Sequence, residues 1–131
     1  MDFQIKKLPD SELEIMLALW DAGQEAPRSY FDHQLQEKGW SITTINTYLS
    51  RLTEKGFLSC RKDGRMNYYT PLISREDYLS FERRSMLDRL YGSSMENFVA
   101  ALCRDRKMDP QEIDRLQLLL EELKQGGDPH A

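Results

Sequence analysis

Along the first third of the chain, apolar residues recur at helical spacing between proline and glycine stops. Pro9, Asp10 and Glu12 form a helix start, with proline in the first turn and acids at the positive dipole end, and Leu13, Met16, Leu17 and Trp20 follow on one face. The spacing predicts a helix over about residues 10–21, closed by Ala22-Gly23. Pro27 opens a second helix to about Lys38, with Tyr30, Phe31 and Leu35 inward and Gly39 as its stop. A third follows the Trp40-Ser41 bridge. There Ile42, Ile45, Leu49 and Leu52 form a narrow stripe expected to be buried, which leaves Thr43, Thr44, Asn46, Thr47, Ser50, Arg51 and Glu54 outside it.

After Lys55-Gly56 the pattern changes to two short β-prone runs, Phe57–Arg61 and Met66–Thr70, and Pro71 ends the second. Between them lies Lys62-Asp63-Gly64-Arg65, whose Asp-Gly pair is a strong hairpin signal. Three helices followed by a hairpin with a basic tip predict a winged helix-turn-helix, a mostly α fold with a small β-hairpin wing. Helical periodicity then returns. Ser74 and Asp77 cap a fourth helix reaching Tyr91 before Gly92-Ser93. Met95, Phe98, Val99 and Leu102 mark a fifth, and Asp109, Pro110 and Glu112 start a sixth that carries Ile113, Leu116, Leu119, Leu120 and Leu123 up to Gly126-Gly127. The remaining residues are expected to fray.

This organisation gives a winged-helix domain at residues 1–72 and a three-helix domain at 73–131. A 59-residue piece buries too little surface to be more than marginal alone, so its thin apolar stripes are expected to pair with a second copy. Leu87, Leu90, Tyr91, Met95, Phe98, Val99, Leu102, Ile113, Leu116 and Leu120 are the expected dimer contacts.

Composition narrows the class. With 131 residues, 40% hydrophobic and 31% charged, the chain is a globular protein too short for a large cofactor fold. The longest apolar run, Ile15 to Trp20, cannot span a bilayer, and acidic Asp2 stands where a signal peptide carries positive charge, so a cytoplasmic location is expected. Cys60 and Cys103 stand apart from each other and from any histidine, which predicts reduced structural thiols and no metal or cofactor. Cys103 is expected to pack at the dimer core. His33 reads as a surface residue and His130 as part of the tail. No phosphate loop, nucleophile signature or carboxylate pair in a cleft is visible, so an enzyme is not expected.

The net charge of −4 argues against nucleic acid, but its distribution reverses the picture. Residues 1–38 carry −4 and residues 73–131 carry −3, while residues 39–72 carry +3. A polyanion is therefore to be met in that stretch. The candidate DNA contacts are Thr43, Thr44, Asn46, Thr47, Ser50, Arg51 and Lys55 on the third helix, and Arg61, Lys62 and Arg65 on the hairpin. The plainer reading is a solvated helix face and a charged edge strand kept soluble. Tyr68 and Tyr69 read as one packed aromatic and one exposed backbone contact.

The run Trp40-Ser41-Ile42-Thr43-Thr44-Ile45-Asn46-Thr47-Tyr48-Leu49-Ser50-Arg51-Leu52, followed by Glu54-Lys55-Gly56, resembles the penicillinase repressor family in its Trp-Ser, Thr-x-x-Thr, Leu-x-Arg-Leu and Lys-Gly elements. The likeness continues through Ile73-Ser74-Arg75-Glu76-Asp77-Tyr78, Leu87-Asp88-Arg89-Leu90-Tyr91-Gly92 and Glu112-Ile113-Asp114-Arg115-Leu116, and so covers nearly the whole chain. It implies a homodimeric repressor on a dyad operator. It also implies, for much of the family, a membrane sensor of β-lactams and inactivation by proteolysis in the dimerisation domain. Three departures stand out. Thr43 and Asn46 occupy positions that often carry Lys or Arg, and Ala101-Leu102 falls at the family's scissile Asn-Phe, one turn after Asn97-Phe98. The tail Gly126-Gly127-Asp128-Pro129-His130-Ala131 lacks the cysteine cluster of the copper-responsive branch. The competing function is a winged helix used for protein–protein contact without specific DNA binding.

Overall fold

The computed structural model describes residues 5–127; Asp2, His130 and the expected frayed end lie outside the described residues. The chain divides into two compact units, residues 1–85 and 86–131. The first holds α1 (Asp10–Ala22), β1 (Ala26–Pro27), α2 (Arg28–Gln34), a 3-10 turn (Gln36–Lys38), α3 (Ile42–Glu54), β2 (Leu58–Asp63), β3 (Met66–Pro71) and the start of α4 (Arg75–Tyr91). The second holds the end of α4 with α5 (Met95–Asp105) and α6 (Pro110–Lys124).

The helix ends obey the local chemistry of the sequence. Gly23 and Gly39 take the left-handed conformation that ends α1 and the 3-10 turn, with φ of 71° and 68°. Ser74, Ser94 and Asp109 cap α4, α5 and α6 by accepting the N–H groups of Asp77, Asn97 and Gln111. The second helix is shorter than its periodicity predicts. At Leu35 (φ −107°, ψ 19°) the backbone leaves the α conformation, which buries that leucine and tightens residues 36–38 into a 3-10 turn.

The sheet has one more strand than the alternation predicts. Its order is β1-β3-β2, all antiparallel, with Ala26 opposite Tyr69 and Pro27 opposite Tyr68. Two residues carry no readable period, and a proline is tolerated there because β1 lies at the edge. The hairpin pairs Leu58 with Pro71 through Asp63 with Met66 and turns at Gly64, where φ is +63°.

The core of this unit gathers Leu8, Ile15, Met16, Leu19, Phe31, Ile45, Leu49, Leu52, Phe57, Leu58, Tyr69, Ile73 and Tyr78, each under a tenth exposed. Ile73 and Tyr78 lie beyond the expected domain limit at residue 72 yet pack inside this core. Ile42 departs from expectation in the opposite sense. It is 67% exposed because it opens α3, one turn short of the neighbours that cover Ile45.

Tyr78 ties three segments together. Its ring packs against Trp20, Phe57 and Phe81, while its hydroxyl accepts the Leu8 N–H at 2.8 Å and donates to Glu82 at 2.7 Å. Burial pushes the phenol up to about 12, against the opposing pull of the Leu8 N–H, with Glu82 adding to the rise. Because the folded value lies above the ordinary one, the contribution is intact below about pH 10 and is lost as pH rises through 12. Tyr78→Phe orphans the buried Leu8 N–H and should cost about 1–3 kcal/mol in urea unfolding at neutral pH. The variant should also lose part of the alkaline fall in stability seen in the native chain.

Candidate nucleic-acid interface

The apolar stripe of α3 decides what the helix shows to solvent. Ile45, Leu49 and Leu52 are buried, so Thr43, Asn46, Thr47, Ser50 and Arg51 lie on the opposite, exposed side. Ser41 starts the helix: its Oγ accepts the Thr44 N–H at 3.1 Å and donates to Thr44 Oγ1 at 3.0 Å. Thr44 is thus half-buried in the cap, while Thr43 beside it is exposed. Thr47 donates its hydroxyl back to the Thr43 carbonyl at 3.0 Å, which fixes its rotamer. Trp40 and Tyr48 meet edge to face, with ring centroids 5.1 Å apart.

The cations sort into held and free. Lys55, just past the end of α3, is paired with Glu12 of α1, whose side chain is only 2% exposed. A pair of this kind adds little net stability but leaves an uncompensated buried carboxylate when the cation is removed, so Lys55 anchors α3 to α1. Arg61 on β2 makes a forked bond to Glu25, with Nε at 3.1 Å and Nη2 at 2.8 Å, and its guanidinium stands 4.7 Å over the half-buried Tyr68 ring. Arg61 holds the Glu25 carboxyl below the usual carboxylate range, and Thr70 helps by donating to it at 3.3 Å. Arg51, Lys62 and Arg65 make no ion pair among the described residues and are exposed. Tyr69 packs inward against Phe31.

One participant escaped the sequence pattern. Arg28, at the start of α2, bonds Asn46 Oδ1 at 2.7 Å, Asp32 at 2.9 Å and the Ile42 carbonyl at 3.3 Å, and so braces the exposed side of α3. Only the i, i+4 spacing of Arg28 and Asp32 is local; the contact with Asn46 joins residues 18 positions apart and is invisible to periodicity.

In the second unit no residue from Met86 to Gly127 is fully buried. Leu87, Tyr91 and Phe98 are half-buried, and the Tyr91 and Phe98 rings meet with centroids 5.3 Å apart. Leu90, Met95, Val99, Leu102, Ile113, Leu116 and Leu120 are all at least 40% exposed, and Leu118 at 62% joins them. Leu118 lies outside the apolar stripe read from the sequence. Cys103 is exposed, with Sγ 3.2 Å from Met108 Sδ. No helix of the described residues is long and apolar enough to cross a membrane.

The family profile described as penicillinase repressor matches residues 8–122. The chain belongs to the penicillinase repressor family. It is 33% identical over 123 residues to the penicillinase repressor of Bacillus licheniformis, covering 92% of this chain and 96% of that one. It is 23% identical over 120 residues to the methicillin resistance regulatory protein MecI of Staphylococcus aureus (strain N315), covering 92% and 98%. Among solved structures it is similar to the DNA binding domain of the repressor BlaI, with a TM-score of 0.51 and 36% identity over 57% of this chain and 92% of that one. Penicillinase repressors are transcriptional repressors and not enzymes, and the winged helix-turn-helix fold agrees with that domain.

Removing the Glu25 carboxylate should release the forked hold on Arg61, leave it only the looser 3.7 Å ion pair with Asp63, and so make it more available to phosphate. In Glu25→Ala, a salt titration of binding to random-sequence duplex DNA should show tighter binding and a log–log slope steeper by about one per protomer.

Proposed function

We propose that this chain is a DNA-binding transcriptional repressor acting as a homodimer on a dyad operator, with α3 in the major groove and the β2–β3 wing on the adjacent backbone. The observation that carries the reading is the polar exposed side of α3, set beside the free cations Arg51, Lys62 and Arg65, in a chain of this family. Thr43, Asn46, Thr47 and Ser50 face base edges; the Thr47 hydroxyl is turned to the helix backbone, which leaves its methyl for a thymine methyl. Arg51 and the wing cations meet phosphate or guanine. Thr44, Lys55 and Arg61 support this surface from behind through the cap, Glu12 and Glu25. The protein-binding alternative leaves those three free cations without a role.

The second unit, residues 86–131, supplies dimerisation in this reading. Leu90, Met95, Val99, Leu102, Ile113, Leu116, Leu118 and Leu120 are each at least 40% exposed, and a second copy covers them. A membrane sensor with an associated protease is the partner that relieves repression.

Arg51→Ala and Thr47→Ala should each weaken operator binding by about 1–3 kcal/mol in gel shifts with the protein's own upstream DNA, with the dimer intact. With roughly six free cations per dimer at the backbone, log affinity should fall against log salt with a slope of about −5. Unchanged operator affinity in both variants, or a flat salt response, favours the protein-binding alternative.

Leu102→Glu combined with Leu120→Glu in the intact chain should give a monomer by sedimentation. It should bind a half-site as before and a full dyad site far more weakly, because the second contact is no longer intramolecular. A dimer that survives both substitutions contradicts the assigned interface.

A further inference from the structure

We propose that Ile42, the first residue of α3, recognises thymine by packing against its 5-methyl group. The inference rests on the DNA-reading role of α3 proposed above and deepens it by naming a further residue that sets specificity. Ile42 falls on the apolar spacing of α3, yet it is 67% exposed, more than any apolar side chain assigned above to the dimer contact. Its stripe partner Ile45, one turn on, is 2% exposed and fills the core without it. What surrounds Ile42 on the helix surface is the polar side proposed to meet DNA: Thr43 follows it and Asn46 stands at i+4, both exposed. The backbone here is held, since Ser41 caps the first turn and Arg28 Nη2 donates to the Ile42 carbonyl at 3.3 Å.

Position and chemistry together select the ligand. A recognition helix presents its N-terminal residues to base edges in the major groove. Each Cα–Cβ bond tilts toward the helix N-terminus, so the Ile42 side chain leans ahead of the first turn. It carries neither charge nor donor, and so gains nothing from a phosphate or from the acceptors of guanine and adenine. The one apolar group on the major-groove edges of the four bases is the C5-methyl of thymine. Contact between the two removes apolar surface of both from water. A β-branched side chain suits this role, because its χ1 is already restricted and little rotamer entropy is lost on contact.

Full-length protein would select from a pool of random-sequence DNA duplexes, and each thymine of the enriched site would then be replaced in turn by deoxyuridine, which lacks only the methyl. For the native chain, one thymine per half-site should respond, with binding about fourfold weaker for each methyl removed. Ile42→Ala should bind the thymine site at least that much more weakly and should no longer distinguish thymine from uracil at that position, since the two changes delete the two sides of one contact. Its affinity for unselected duplex and the salt slope should match the native chain, because an apolar contact releases no counterions. Thr47→Ala should keep the response at that thymine, which separates the Ile42 contact from any made by the Thr47 methyl. A methyl response that persists in Ile42→Ala, native affinity of that variant for the thymine site, or a response lost in Thr47→Ala instead overturns the proposal. If the native chain enriches no sequence, the DNA-reading role itself fails, a result distinct from an enriched site whose thymine methyls Ile42 ignores.

Discussion

The burial of Ile45, Leu49 and Leu52 in the core of the first unit is the constraint from which the rest of the interface follows. Each of these side chains gains about 1.5–3 kcal/mol by leaving water, far more than any single polar group on the opposite side contributes to folding. Burying them fixes the rotation of α3 about its axis. The side bearing Thr43, Asn46, Thr47, Ser50 and Arg51 is then outward without any force acting on those residues themselves. Apart from Asn46, which takes the Arg28 brace, these side chains tie α3 to no other element among the described residues, so their identities are free to be set by what they touch.

Rotation alone leaves α3 free to slide or tilt, and polar contacts at its two ends restrain it. At the start, Ser41 closes the first turn and Arg28 clamps Ile42 and Asn46 from α2. At the end, Lys55 reaches the buried Glu12 of α1. The wing is tied in the same manner, since Glu25 beside β1 takes both Arg61 and Thr70 from the other two strands. Acidic residues thus position cations next to the free ones, which explains how a chain with net charge −4 can carry a surface suited to a polyanion.

The second unit is built on a different balance. Its helices are well capped, but none of its residues from Met86 to Gly127 is fully buried, so local propensity supplies the secondary structure while the apolar side chains stay in contact with water. Such an arrangement is stable when something apolar covers it.

The sequence by itself determined what depends on neighbours a few residues apart. The six helices, the Asp-Gly hairpin, the caps at Ser74 and Asp109 and the +3 stretch were all legible, because capping, periodicity and turn geometry are local. It also placed Ile45, Leu49 and Leu52 inward. Only the tertiary structure decided that Ile42 is exposed, that Ala26–Pro27 form a strand, and that Ile73 and Tyr78 belong to the first core. It likewise decided which cations are engaged: Lys55 with Glu12, Arg61 with Glu25 and Arg28 with Asn46 join positions 43, 36 and 18 residues apart. Charge counting sees a cation in each case, but whether that cation is free depends on a partner that only the folded chain brings within reach.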